Sequence, residues 1–397
     1  MGKVGNGDDM LSMLPDDILV NILDRLNPWL QPRRNLDLQY SIRLLCVRFY
    51  LNGDDPESIG HAAAHAMATR EVDKVEFTVL ISKDDIYDDD MVEYGRQFRV
   101  FSDACPDALG GLTSLCLKSL RFGESDILNV LTTCKRLEHL QLFDCDSGNC
   151  TTLQVEHSQL DELSVIQCRF EKVMLNWLPK LTRMAFEGWI SFQDPLFVGY
   201  VPLLEAVSLT NVALSWHKNV RLSEFLGGIS VRDLKLGFSS KKIWVQPECP
   251  TKRMGASVFH QLRFVNLVDI PERYDLIWTM FILEAAPSLK ELHMTVWDYP
   301  CGTETDQEKR RACLYSENKA VEWESSASDF KHHSLATLTI FGFETEDYLV
   351  RYIRHAMATA VNLEDVFLYE RLVCDGCPGK KPSKPFKFPR TKRQSLH

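Results

Sequence analysis

One short apolar pattern recurs ten times along this chain and constrains its fold more than any other feature. The pattern is L-x-x-L-x-L, with Val, Met, Ile or Phe sometimes replacing Leu. It occurs at Leu112-Leu115-Leu117, Leu137-Leu140-Leu142, Leu160-Leu163-Val165, Leu181-Met184-Phe186 and Leu204-Val207-Leu209. It continues at Val231-Leu234-Leu236, Leu262-Val265-Leu267, Leu289-Leu292-Met294, Leu335-Leu338-Ile340 and Leu363-Val366-Leu368. Successive middle residues lie 25, 23, 21, 23, 27, 31, 27, 46 and 28 positions apart. Scattered leucines would not hold that spacing. The last two apolar residues of each copy are two apart, so they point to one face of a short strand, and the residue between them points to the other. One such unit has too little apolar surface to fold alone, whereas stacked units bury a continuous core.

Most of these steps fall within the leucine-rich-repeat period of roughly 20–29 residues. The expected fold is therefore α/β: a leucine-rich-repeat solenoid with a curved parallel sheet inside and helices outside. Ser125 to Thr133, Asp275 to Ala286 and Glu346 to Ala360 read as helices of that outer layer, the last from its 3.6-residue period. Pro179, Pro202 and Pro287 each precede a repeat by two residues, where proline stops a helix.

The repeats organise the rest of the chain. Residues 1–13 read as a disordered N-terminus and 14–35 as a helical segment. In 36–100, Ile42 to Leu51 reads as a strand, Ser58 to Arg70 as an Ala-rich helix and Val75 to Ile81 as a partly alternating stretch. That region is a cap or a longer first repeat. Asp84 to Glu93 carries six acids and reads as a loop or a helix start. The solenoid spans 101–373. The step of 46 marks a charged, Ser-rich insertion at 298–333. Residues 378–397 hold seven Lys/Arg, four Pro and no acid, so 374–397 is expected to be a basic disordered tail, with import-signal and anion-binding roles as alternatives.

Composition excludes several classes. The net charge of −10 argues against general binding to nucleic acid or anionic lipid. No run approaches 18 apolar residues, so no membrane span is expected. Met1 to Met10 lacks the apolar core of a signal peptide. Twelve cysteines are then reduced thiols, and a cytoplasmic or nuclear location is expected. Cys374 and Cys377 have zinc spacing, but a structural site needs four ligands and no second pair lies nearby. His61 and His65 lack the glutamate of a zinc-protease helix. No phosphate loop or nucleophile elbow is present. The chain is expected to be no enzyme and to need no cofactor or metal.

Residues 14–26 read L-P-D-D-I-L-V-N-I-L-D-R-L. Pro15 suits a first helical turn, Asp16 and Asp17 complement its dipole, and Ile18, Leu19, Ile22, Leu23 and Leu26 form an apolar stripe. This stretch resembles the opening of an F-box, the helical motif that docks on the Skp adaptor of cullin ubiquitin ligases. His332 to Phe343, the helix after it, and Ala360 to Val366 are similar to the closing (FBD-like) segment, 332–370, of plant F-box/leucine-rich-repeat proteins. The resemblance implies a substrate receptor of a Skp–cullin–F-box ligase. Leu14, Pro15, Ile18, Leu19, Ile22 and Leu23 would hold the adaptor, and an unidentified protein target would sit on the repeats. The sequence departs from the family after Leu26: Asn27-Pro28-Trp29 follows, and no V-S-R-R-W-like stretch completes the F-box. Residues 14–26 are thus either the adaptor stripe or a helix capping the first repeat.

Candidate target-binding residues stand between the strand leucines: Gln141, Ser164, Ala185, Ser208, Lys235, Asn266, His293, Thr339 and Phe367. They are chemically mixed and form no aromatic ladder or like-charge stripe. They read either as a binding face or as a plain solvated sheet.

Overall fold

The structure, a computed structural model, describes residues 42–370 except 52–55, 70–71, 84, 124, 149–150, 190–194, 212–218, 228, 239–242, 249–256, 272–273, 297–328 and 344. The chain divides into two compact units, residues 1–147 and 148–397.

The first unit runs β1 (Ile42–Tyr50), α1 (Pro56–Thr69), β2 (Val72–Leu80), α2 (Asp88–Ala104), α3 (Pro106–Gly110), β3 (Ser114–Lys118), α4 (Asp126–Thr133) and β4 (His139–Phe143). Its strands pair in parallel in chain order. Phe77, Val79, Leu115, Leu117, Leu140 and Leu142 point inward and are buried, as the pattern requires. Phe98 and Phe101 of α2 close over them, with Phe101 5.1 Å from Phe49 ring to ring. The acidic run before α2 is a helix start: Asp88, Asp89 and Asp90 occupy its first turn, where carboxylates favour the positive end of the helix dipole. Asp90 also accepts the Tyr87 N–H at 3.1 Å.

The second unit runs β5 (Thr152–Glu156), β6 (Glu162–Ile166), β7 (Lys172–Trp177), β8 (Arg183–Trp189), β9 (Leu196–Tyr200), β10 (Ala206–Asn211), α5 (Leu222–Phe225), β11 (Asp233–Gly237), α6 (Ser257–His260) and β12 (Phe264–Ile270). A 3-10 turn (Leu276–Thr279), α7 (Met280–Ala285), β13 (Glu291–Val296), β14 (Thr337–Phe341), α8 (Asp347–Thr359) and β15 (Asp365–Tyr369) follow. Eight strands form one parallel sheet in the order β6-β8-β10-β11-β12-β13-β14-β15. With β3 and β4, these strands account for all ten copies of the pattern.

The expected helical outer layer needs correction at the start of this unit. There β5, β7 and β9 form a separate three-stranded parallel sheet. The cause is local. The repeat steps of 23, 21 and 23 residues are the shortest in the chain. The connecting segments TLQVE and KVMLNW alternate with period two, and Leu153, Val155, Val173 and Leu175 are buried. Longer steps further on leave room for α5 to α8.

Two devices shape the repeats. Ser119, Asp144, Gln167, Gly188, Asp269 and Gly342 all have positive φ, and each lies four residues after its repeat's middle apolar residue. The chain therefore makes the same left-handed kink at or just beyond the end of each of these strands. At Gly342 a Cβ would come within 2.0 Å of the Val296 carbonyl oxygen, so only glycine fits. The second device is a buried histidine. His332 closes the described end of the predicted insertion and belongs to the repeat, bridging to Ala360. Its Nε2 bonds the Ala286 carbonyl at 3.0 Å, while Nδ1 accepts the Leu335 N–H at 3.0 Å.

Candidate protein-binding face

Register decides which side chains share a face. In the second unit Ser164, Ala185, Ser208, Lys235, Asn266, His293, Thr339 and Phe367 are successive register partners. The eight form one row across the sheet. Thr339 is buried and the other seven are half-buried, so the row is accessible ground. Gln141 belongs to the first unit, where it is exposed and pairs with Cys116. Leu14, Pro15, Ile18, Leu19, Ile22 and Leu23 lie outside the described residues, as do Cys374, Cys377 and the basic tail.

Rows on either side give the face its charge. Glu187, two residues beyond Ala185, accepts Ser208 Oγ at 2.5 Å and pairs with Lys235 Nζ at 3.0 Å. Two residues before the middle row stand Glu162, Arg183, Ala206, Asp233, Phe264, Glu291, Thr337 and Asp365. Arg183 is 3.0 Å from Glu162. His293 packs edge-on to Phe264 at 4.9 Å, with Nε2 3.4 Å from Glu291. Burial lowers the His293 pKa, against the pull of Glu291. Further along, the Phe341 ring stacks on Tyr369 at 4.7 Å.

Where small side chains meet, the face sinks. Ala185, Ala206 and Ser208 floor an open depression of about 280 Å³, rimmed by Arg183, Asp233, Lys235 and Phe264. Sequence reasoning missed this depression and the acids Asp233, Glu291 and Asp365. The signal was present one position before each middle leucine, but its meaning depends on which strands are neighbours. It also missed the outer surface of the β5–β7–β9 sheet, where Trp177, Phe197 and Tyr200 are exposed by 48%, 45% and 55%.

The face offers hydrogen-bonding groups, ion pairs and flat apolar ground. Among the described residues no three His, Cys, Asp or Glu side chains converge to hold a metal. His61 and His65 are exposed on α1. Burial raises the Cys116 thiol on the first unit's sheet, which keeps it protonated and a poor nucleophile. No described helix is long and apolar enough to cross a membrane.

Stacked parallel strands, each supplied by one copy of the apolar pattern, define a leucine-rich-repeat protein, a class that binds other proteins through its extended sheet. A family model described as At1g61320/AtMIF1, LRR domain, matches residues 99–394, and the chain belongs to that family. No curated protein and no solved structure matches the chain.

Proposed function

We propose that this chain is a non-enzymatic substrate receptor: it holds a protein target on the sheet face of its second unit and links it to a Skp–cullin–F-box ubiquitin ligase. The observation that carries the target half is the in-register row from Ser164 to Phe367, accessible except at buried Thr339 and of mixed polar and apolar chemistry. Within it, Ser164, Ser208, Lys235, Asn266 and His293 offer polar contacts, and Gln141 offers one on the first unit's sheet. The adaptor half is supported by the sequence of 14–26, where Leu14, Pro15, Ile18, Leu19, Ile22 and Leu23 match the docking stripe. Ubiquitin chemistry belongs to the partner enzymes, so this chain needs no active site.

A second reading is favoured by one observation: no V-S-R-R-W-like stretch follows Leu26. On that reading the chain is a protein-interaction scaffold without adaptor binding. Pull-down of the purified chain with a plant Skp-type adaptor separates the two. The receptor reading expects capture by the wild type and its loss in the Ile18→Asp, Leu23→Asp double variant. No capture by the wild type leaves the scaffold.

A further inference from the structure

The sheet face of the second unit has a lane running into the apolar depression. Strands β11 to β15 set Asp233, Phe264, Glu291, Thr337 and Asp365 side by side, so the acids stand on alternate strands. At about 4.8 Å per strand, neighbouring acids are about 9.6 Å apart. Within 4 Å and among the described residues, Asp233 meets Arg232 at 4.0 Å and Glu291 meets His293 at 3.4 Å. Arg263 and Lys290 stand exposed in the turns before β12 and β13, so the attraction is short-ranged. Next to Asp233 the lane drops into the depression between Ala185, Ala206 and Phe264.

The same chain carries a complementary segment. Lys381, Lys384, Lys387, Arg390 and Arg393 recur at every third position, interleaved with Pro382, Pro385 and Pro389. A proline-rich extended chain has three residues per turn and rises about 3.1 Å per residue, so every third side chain returns to one side about 9.3 Å further on. That period matches the spacing of the acids. Connectivity permits the match: β15 ends at Tyr369. The twelve residues from 370 to 381 reach about 40 Å when extended, whereas returning along β15 to Asp365 takes about 13 Å.

We propose that residues 378–393 dock across β15 to β11 of their own chain, with Lys381, Lys384 and Lys387 facing Asp365, Glu291 and Asp233 and Phe388 in the depression. The proposal rests on reading this face as the binding surface: the tail occupies it until a target displaces it. Exposed ion pairs are individually weak, each a factor of roughly two to five. Tethering raises the effective concentration of the segment to about the millimolar range, enough to fill the face yet allow exchange.

Limited trypsin digestion of the full chain tests this, reading cleavage after Lys387 and Arg390 by mass spectrometry. The Asp233→Asn, Glu291→Gln, Asp365→Asn variant should be cut there about tenfold faster than wild type, the product of two or three such pairs. Its unchanged thermal midpoint would verify the fold. Combining Asp233→Lys and Glu291→Lys with Lys384→Glu and Lys387→Glu should restore slow cleavage after Arg390. Equal rates in wild type and the neutral variant would overturn the proposal, as would failure of the charge swap. Cleavage that speeds up on dilution would show docking between copies and overturn it too. Because the assay contains no target, its failure leaves target binding standing, and failure of target binding leaves tail protection measurable.

Discussion

Arg121 and Asp146 show how one side-chain pair can fix a repeat. Asp146 is buried, with 2% of its side chain exposed, and accepts from Arg121 Nε at 2.6 Å and Nη2 at 2.9 Å. A carboxylate so placed is tolerable only while its partner remains. Breaking a buried pair costs about 3–5 kcal/mol, but Arg121 keeps some water and a contact with Asp88, so Asp146→Ala should cost about 2 kcal/mol. Urea denaturation would show this, and an unchanged midpoint would refute it. His332 gives a pH signature. Burial lowers its pKa, so the fold favours the neutral ring. An unfolded histidine takes up its proton near pH 6.5, and the folded one only at lower pH. Stability should therefore be full above about pH 6.5 and fall as pH drops toward the folded value. His332→Gln should be less stable at pH 7.5 but lose less on acidification to pH 5.5; an identical loss in both proteins would contradict the assignment. The Arg121–Asp146 pair did not announce itself in sequence, because its 25-residue separation becomes a contact only through the register of two repeats.

Elements were more legible than pairs. Strands could be read because two leucines two apart must share a face, and all ten copies lie on strands. The outer layer was harder, since KVMLNW and TLQVE are short and their neighbours decide whether they become strand or helix. The interior of α2 shows packing overriding propensity. Gly95 would gain about 1 kcal/mol of helix propensity on mutation to alanine. However, its Cβ would land 1.9 Å from the Arg121 carbonyl oxygen, a backbone atom that cannot swing aside. Overpacking of this kind typically costs about 1–3 kcal/mol. Gly95→Ala should therefore lower the thermal midpoint, and a raised midpoint would mean that propensity wins.

For the whole molecule, a periodic sequence makes the architecture readable because every repeat solves the same burial problem. The middle row of the candidate face followed from that period alone. The flanking acids, the depression and the exposed aromatics of the second sheet did not, because they depend on which strands neighbour one another. The second unit's sheet face is the proposed seat of a protein target. That role is tested most directly by affinity capture from plant extract, quantified by mass spectrometry for three proteins of equal stability. These are the wild type, a Lys235→Glu, His293→Asp face variant and a Gln154→Arg variant on the second sheet. Losing a central contact typically costs about 2 kcal/mol, roughly thirtyfold in affinity. The expected result is a partner that wild type and Gln154→Arg recover alike and the face variant loses. Equal recovery of that partner by the face variant would contradict it.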